Sequence, residues 1–144
     1  MDVSRGEIYM VCLDPVFGRE IGGFKMRPVV IVSINDINKR TRLVTVVPGT
    51  SDKPVTDKTG KPGIPPYWWT EFQNVVTVDT GDGSSGLREK THFECHQVRA
   101  IERGRLTAKS IGKLSREDFE RIEKSLAYCL GLDSPTLRTP VADR

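Results

Sequence analysis

The chain has 144 residues, of which 37% are hydrophobic and 28% charged, and its formal net charge is +3. This suits one compact domain with its own core, and it excludes a disordered or membrane-embedded chain. No apolar run is long enough to span a bilayer, and the opening MDVSRGEIYMVCL lacks the basic start and long apolar stretch of a secretory signal, so a cytoplasmic protein is expected.

In chain order, residues 6–13, GEIYMVCL, are rich in β-formers and end at the turn signal Asp14-Pro15. A glycine-bearing loop, VFGREIGGFK, leads to FKMRPVVIVS, where Lys25 and Arg27 precede the unbroken apolar run Val29–Val32. Such a run reads as a strand buried on both faces. Asn35-Asp36 offers a helix cap or turn, and RLVTVVP reads as a strand stopped by Pro48-Gly49. Residues 51–66, SDKPVTDKTGKPGIPP, have almost no apolar content and read as a long exposed loop, functional or mobile. Tyr67, Trp68 and Trp69 follow, then a strand in FQNVVTVDT, a turn in GDGSSG and a strand pattern in THFECHQVRAI.

The pattern then changes to helix over residues 115–130. Ser115 is an N-cap with Asp118 three residues on. Phe119, Ile122, Leu126 and Cys129/Leu130 fall on one face, and Gly131 is placed to end the helix. Residues 133–144 read as a flexible tail. The expected architecture is one domain over residues 1–132: a mainly β fold, a small strongly bent sheet or barrel with a C-terminal helix packed on it.

Cys12, Cys95 and Cys129 are widely spaced and sit in apolar sequence, so buried reduced thiols are expected and no disulfide or structural zinc. His92 and His96 have no evident ligand partners, so neither a metal nor another cofactor is expected.

Three stretches could carry chemistry. Pro28 restrains Arg27 to an extended backbone, and a guanidinium fixed at a strand mouth suits a phosphate. The alternative is a solvated flank, or a structural ion pair with Glu20. In VVPGTS, Thr50 and Ser51 could bind an oxyanion or satisfy turn backbone. In FECHQVRAI, Glu94, His96 and either Gln97 or Arg99 would alternate along a strand; His96 could transfer protons near neutral pH, or be a hydrogen-bonded structural residue. Trp68 and Trp69, with Phe17 and Phe24, could stack on unpaired bases or plug the rim of the core.

The order of RGEIYMVCLDPVFGREIGG, RPVVIVS, VVPGTS, CHQVRAIERGRL and IGKLSREDFERIEKSLAYCLGL resembles the MazF/PemK family of toxin endoribonucleases. The resemblance runs from Arg5 to Leu132 and is loose only across 51–90. It implies an SH3-like β-barrel with a C-terminal helix, acting as a homodimer. It also implies metal-independent cleavage of single-stranded RNA by 2′-OH attack, leaving a 2′,3′-cyclic phosphate and a 5′-OH, and restraint by a cognate antitoxin. The family's catalytic arginine and threonine match Arg27 and Thr50. Glu20 matches an acidic position suited to orienting the arginine, and Lys25, in a slightly longer loop, offers a second phosphate contact. His96 stands where some relatives carry an acid/base aspartate, which leaves the general base open; Ser51, Gln97, Trp68 and Trp69 are further candidate RNA contacts. Two other functions remain compatible: a non-enzymatic gyrase poison of the related CcdB type, and an inactive barrel that binds RNA or protein.

Overall fold

The computed structural model describes residues 2–18, 20–23, 25–51 and 73–132. Most of the lysine- and proline-rich stretch expected to be a long loop, with Trp68 and Trp69, lies outside the described residues, as do Phe24 and residues 133–144, expected to be a tail.

Among the described residues, seven strands form one strongly curled antiparallel sheet. They are β1 (Glu7–Cys12), β2 (Met26–Ile31), β3 (Leu43–Ser51), β4 (Val75–Val78), β5 (Thr91–Glu94), β6 (Arg99–Glu102) and β7 (Gly112–Lys113). Helix α1 (Asn35–Arg40) links β2 to β3, and α2 (Arg116–Cys129) closes the described chain. The spatial order is β4-β5-β3-β2-β1-β7, with β6 also on β3.

The apolar run in β2 is buried on both sides. Val30 joins one core cluster with Ile8, Val47, Phe93 and Ile122, beneath α2. Val29 and Ile31 join a second, with Tyr9, Val11, Val46 and Ile101. Each such side chain stabilises the fold by about 1.5–3 kcal/mol through burial alone. Two cores back to back hold the central strands rigid.

Helix α2 starts as its sequence dictates. The Ser115 hydroxyl accepts from the Asp118 N–H at 3.1 Å, a cap worth about 1 kcal/mol. The Asp118 carboxylate binds Arg121 at 3.0 Å. The helix ends with Gly131 at φ 70, its N–H on the Tyr128 carbonyl and that of Leu132 on Ala127, a left-handed cap that glycine adopts without strain. Leu130 is 53% exposed, because the α2 face turned to the core runs through Ile122 and Ser125 with Phe119, Leu126 and Cys129 beside it. The three cysteines are free, as expected, but only Cys95 is fully buried; burial raises its thiol pKa to about 11.

Two strand expectations are corrected. β2 begins at Met26, so Arg27 and Pro28 lie within the strand. β3 is not stopped at Pro48-Gly49; it continues to Ser51 by changing partner. Residues 46–48 pair with β2, and residues 49–51 pair with β5. Gly49 permits the crossing: a Cβ there would lie 2.7 Å from the Thr91 methyl and 3.0 Å from the Phe93 ring. Proline and glycine mark a bend in this strand, not its end.

Candidate active site

The change of partner opens the site. Val29 pairs with Pro48, and that register carried two residues further would set Arg27 opposite Thr50. There β3 has already left β2 for β5, so a gap opens between the two side chains. Strand alternation puts Arg27 and Thr50 on the same face as Val29, Ile31 and Val46. Thr50 pairs with His92, which places Glu94, two residues on, on that face as well.

A pocket of about 220 Å³ occupies the gap, lined by Arg27, Thr50, Glu94, Glu20, Ile21, Gly22 and Gly18. Arg27 is half-buried, and its Nε donates to the Gly22 carbonyl at 3.2 Å. That contact fixes the guanidinium, so the ion pair with Glu20 expected from sequence is not what orients it. The Glu20 carboxylate instead accepts from the Phe17 N–H at 3.0 Å within its own loop. Glu20 lines the pocket, and Lys25, two residues before Arg27 in sequence, is exposed.

The strand expected through residues 91–101 is interrupted. β5 ends at Glu94, a 3₁₀ turn spans Cys95–Gln97, and β6 begins at Arg99. The turn abolishes the expected alternation and brings Gln97 back toward Glu94, its Nε2 donating to Glu94 Oε1 at 3.2 Å. Gln97 Oε1 accepts from the Ile21 N–H at 2.6 Å. One amide therefore ties the loop to the end of β5.

His96 faces a different space. It lines an adjoining cleft of about 610 Å³ with Phe17, Glu20, Ile21, Gln97, Val98 and Arg99. Its Nδ1 lies 2.8 Å from the Asn74 amide nitrogen and its Nε2 is 3.8 Å from Glu94 Oε1. Partial burial lowers its pKa, favouring the neutral ring. Phe17 is 87% exposed at this cleft. The structure thus gathers Arg27, Thr50 and Glu20 in one pocket and His96 and Gln97 in the next, with Ser51 half-buried at the end of β3. Among the described residues no group of three or more His, Cys, Asp or Glu could hold a metal, and no helix is long and apolar enough to cross a membrane.

Sequence reasoning gave no role to Glu94. It is 1% exposed, and among the described residues its Oε2 has no hydrogen-bond partner. Burial drives the carboxyl up from 4.5 to about 7, against the Gln97 hydrogen bond and the Arg27 charge, which pull it down. The signal in the sequence is THFEC, a carboxylate between Phe93 and Cys95 in a stretch too apolar for a solvated glutamate.

A curled antiparallel half-barrel with a C-terminal helix and an arginine–threonine pocket between parting strands defines the class. The chain matches, over residues 4–130, the family described as PemK-like, MazF-like toxin of type II toxin-antitoxin system, and it belongs to that family. It is 30% identical over 132 residues to the endoribonuclease EndoA of Bacillus subtilis (strain 168), covering 92% of this chain and 97% of that one. It is 52% identical to the Escherichia coli endoribonuclease PemK over 50 residues, a match spanning 35% of this chain and 36% of PemK. In fold it is similar to MazF of Deinococcus radiodurans, with a TM-score of 0.67 at 18% identity, over 91% and 98% of the two chains.

Proposed function

We propose that this chain is a toxin that cleaves single-stranded RNA, restrained by a cognate antitoxin protein and acting in the cytoplasm as a homodimer. The 2′-OH attacks the adjacent phosphate, leaving a 2′,3′-cyclic phosphate and a 5′-OH. The observation that carries this reading is the meeting of Arg27 and Thr50 in one pocket where β2 and β3 part. Membership of a toxin–antitoxin family and the likeness to EndoA and PemK support it.

Each role follows from chemistry. As the 2′-oxygen attacks, negative charge gathers on the nonbridging phosphate oxygens, and a guanidinium already held by a backbone carbonyl stabilises that charge without reorganising. Arginine stays protonated at any working pH, so its contribution is electrostatic. The Thr50 hydroxyl donates to the same phosphate. Lys25, exposed at the loop, supplies a second cation for the neighbouring phosphate.

Purified full-length protein is incubated with a long single-stranded transcript of mixed sequence in EDTA, beside Arg27→Ala and Thr50→Ala. Cleavage by the wild type, with cyclic-phosphate ends, and its loss in both variants are expected. An intact transcript with the folded wild type would sink the reading.

A further inference from the structure

We propose that Glu94 is a catalytic residue of this pocket, the base that takes the proton from the attacking 2′-OH. The inference rests on the ribonuclease reading above and fills the one role that reading leaves open.

Three carboxyl or imidazole groups stand near enough to be considered. Glu20 is exposed, and its Oε1 is engaged by the Phe17 N–H. His96 lines the adjoining cleft and is braced by Asn74. Glu94 lines the same pocket as Arg27 and Thr50, and strand register puts it on their face. Its Oε1 is held by Gln97, and its Oε2 has no hydrogen-bond partner among the described residues. A carboxylate oxygen buried without a partner is costly, and a fold keeps such a group where its unmet lone pair has work to do.

Its surroundings suit that work. Among the described residues, the charged and titratable groups around it are Arg27 from β2, Glu20 from the loop, His96 from the turn and, two residues back on its own strand face, His92, while β3 and β4 present Thr50 and Val75. Burial poises the carboxyl near pH 7, where a base is both ionised often enough and basic enough to take a proton. Since Glu94 is 1% exposed, the pocket wall must yield slightly as the ribose enters.

The 2′-O–H bond breaks and its proton passes to Glu94 Oε2. The 2′-O–P bond forms and the P–O5′ bond breaks, closing the cyclic phosphate. The departing 5′-oxygen takes a proton from solvent water, and Glu94 returns its own proton to solvent. Gln97 keeps the other carboxylate oxygen fixed throughout.

The test compares the full-length wild type with Glu94→Gln, which preserves shape and removes the base. Single-turnover cleavage of the mixed-sequence transcript is followed from pH 5 to 9. Binding is measured to the same cleavage-site sequence carrying a 2′-deoxy nucleotide at the cleaved position. The wild-type rate is expected to rise with pH and level off above about 7. Glu94→Gln is expected to lose on the order of 10²–10⁴-fold in rate, to lose the pH limb, and to bind the deoxy oligonucleotide within about threefold of wild type. Should the variant not fold, carbon-13 carboxyl shifts of glutamate-labelled wild type still decide. A buried carboxyl titrating near 7 in step with the rate supports the role, and a Glu94 midpoint below about 5 overturns it. An active wild type with Arg27→Ala dead and Glu94→Gln unimpaired overturns only Glu94. A wild type that cuts no RNA overturns the ribonuclease reading itself.

Discussion

The two adjoining clefts share Glu20 and Ile21, yet they are built from different material. The smaller sets three strand residues, Arg27, Thr50 and Glu94, against the loop residues Gly18, Glu20, Ile21 and Gly22, with Arg27 fixed by a backbone carbonyl and Glu94 left with an unmet oxygen. The larger is walled by the 3₁₀ turn and the loop, with His96 half-exposed beside Asn74 and Phe17 projecting into solvent. Rigid walls with an unsatisfied charge suit bond-making, which needs groups fixed before the substrate arrives. An exposed aromatic over an open cleft suits the stacking of an unpaired base. Under the proposed function, chemistry falls to the smaller cleft and recognition to the larger.

That division can be broken, beginning with its largest consequence. Arg27→Ala is expected to lower the single-turnover rate by roughly 10²–10³-fold, the usual cost of removing a fixed oxyanion partner, with an unchanged circular-dichroism spectrum. Thr50→Ala should lose about 10–100-fold, the worth of one hydrogen bond to a charged group. Phe17→Ala should raise KM roughly tenfold and leave kcat alone, since stacking on one base is worth about 1–3 kcal/mol. A fall in kcat instead would place Phe17 in the chemistry. The smallest effect is expected from His96→Ala, with the rate staying within about threefold; a loss of a hundredfold would erase the distinction between the clefts.

A stability measurement sharpens the same comparison without any substrate. The Glu94 carboxyl sits near 7 in the folded protein, against an ordinary 4.5. Between those values the unfolded chain releases the proton while the folded chain keeps it, so folding weakens as pH rises through that window. The full cost, present above about 7, is on the order of 3 kcal/mol. Glu94→Gln should therefore melt higher than wild type at pH 8, and the two curves should converge near pH 4.5. An equal melting temperature at pH 8 would mean that the carboxyl pays no such penalty.

Much of this was legible in the sequence, for reasons that differ from residue to residue. The β2 run announced burial on both faces because four consecutive branched side chains leave no polar side. The α2 ends were written in Ser115 and Gly131, whose effects are local. Arg27 and Thr50 emerged from short motifs taken in order. What could not be read was whatever depended on register between distant strands. Pro48-Gly49 looked like a stop because its partner change needs β5, some forty residues on. The bond from the Ile21 N–H to Gln97, a residue expected among the RNA contacts, spans 76 positions. Glu94 was placed on a strand beside His96 but given no role, because its burial beside Arg27 and Thr50 depends on a turn that the sequence CHQ does not announce.

Gly49 has a wider reach than its missing side chain suggests. It lies where one continuous strand passes from the β2 side of the sheet to the β5 side, so it sets how near Arg27 and Glu94 can come. Those residues belong to segments that share no direct pairing, and β3 is the ruler laid between them. A methyl group at that mark would push against Thr91 and Phe93 and lengthen the ruler. The gap between cation and carboxyl is thus calibrated by an atom that is not there.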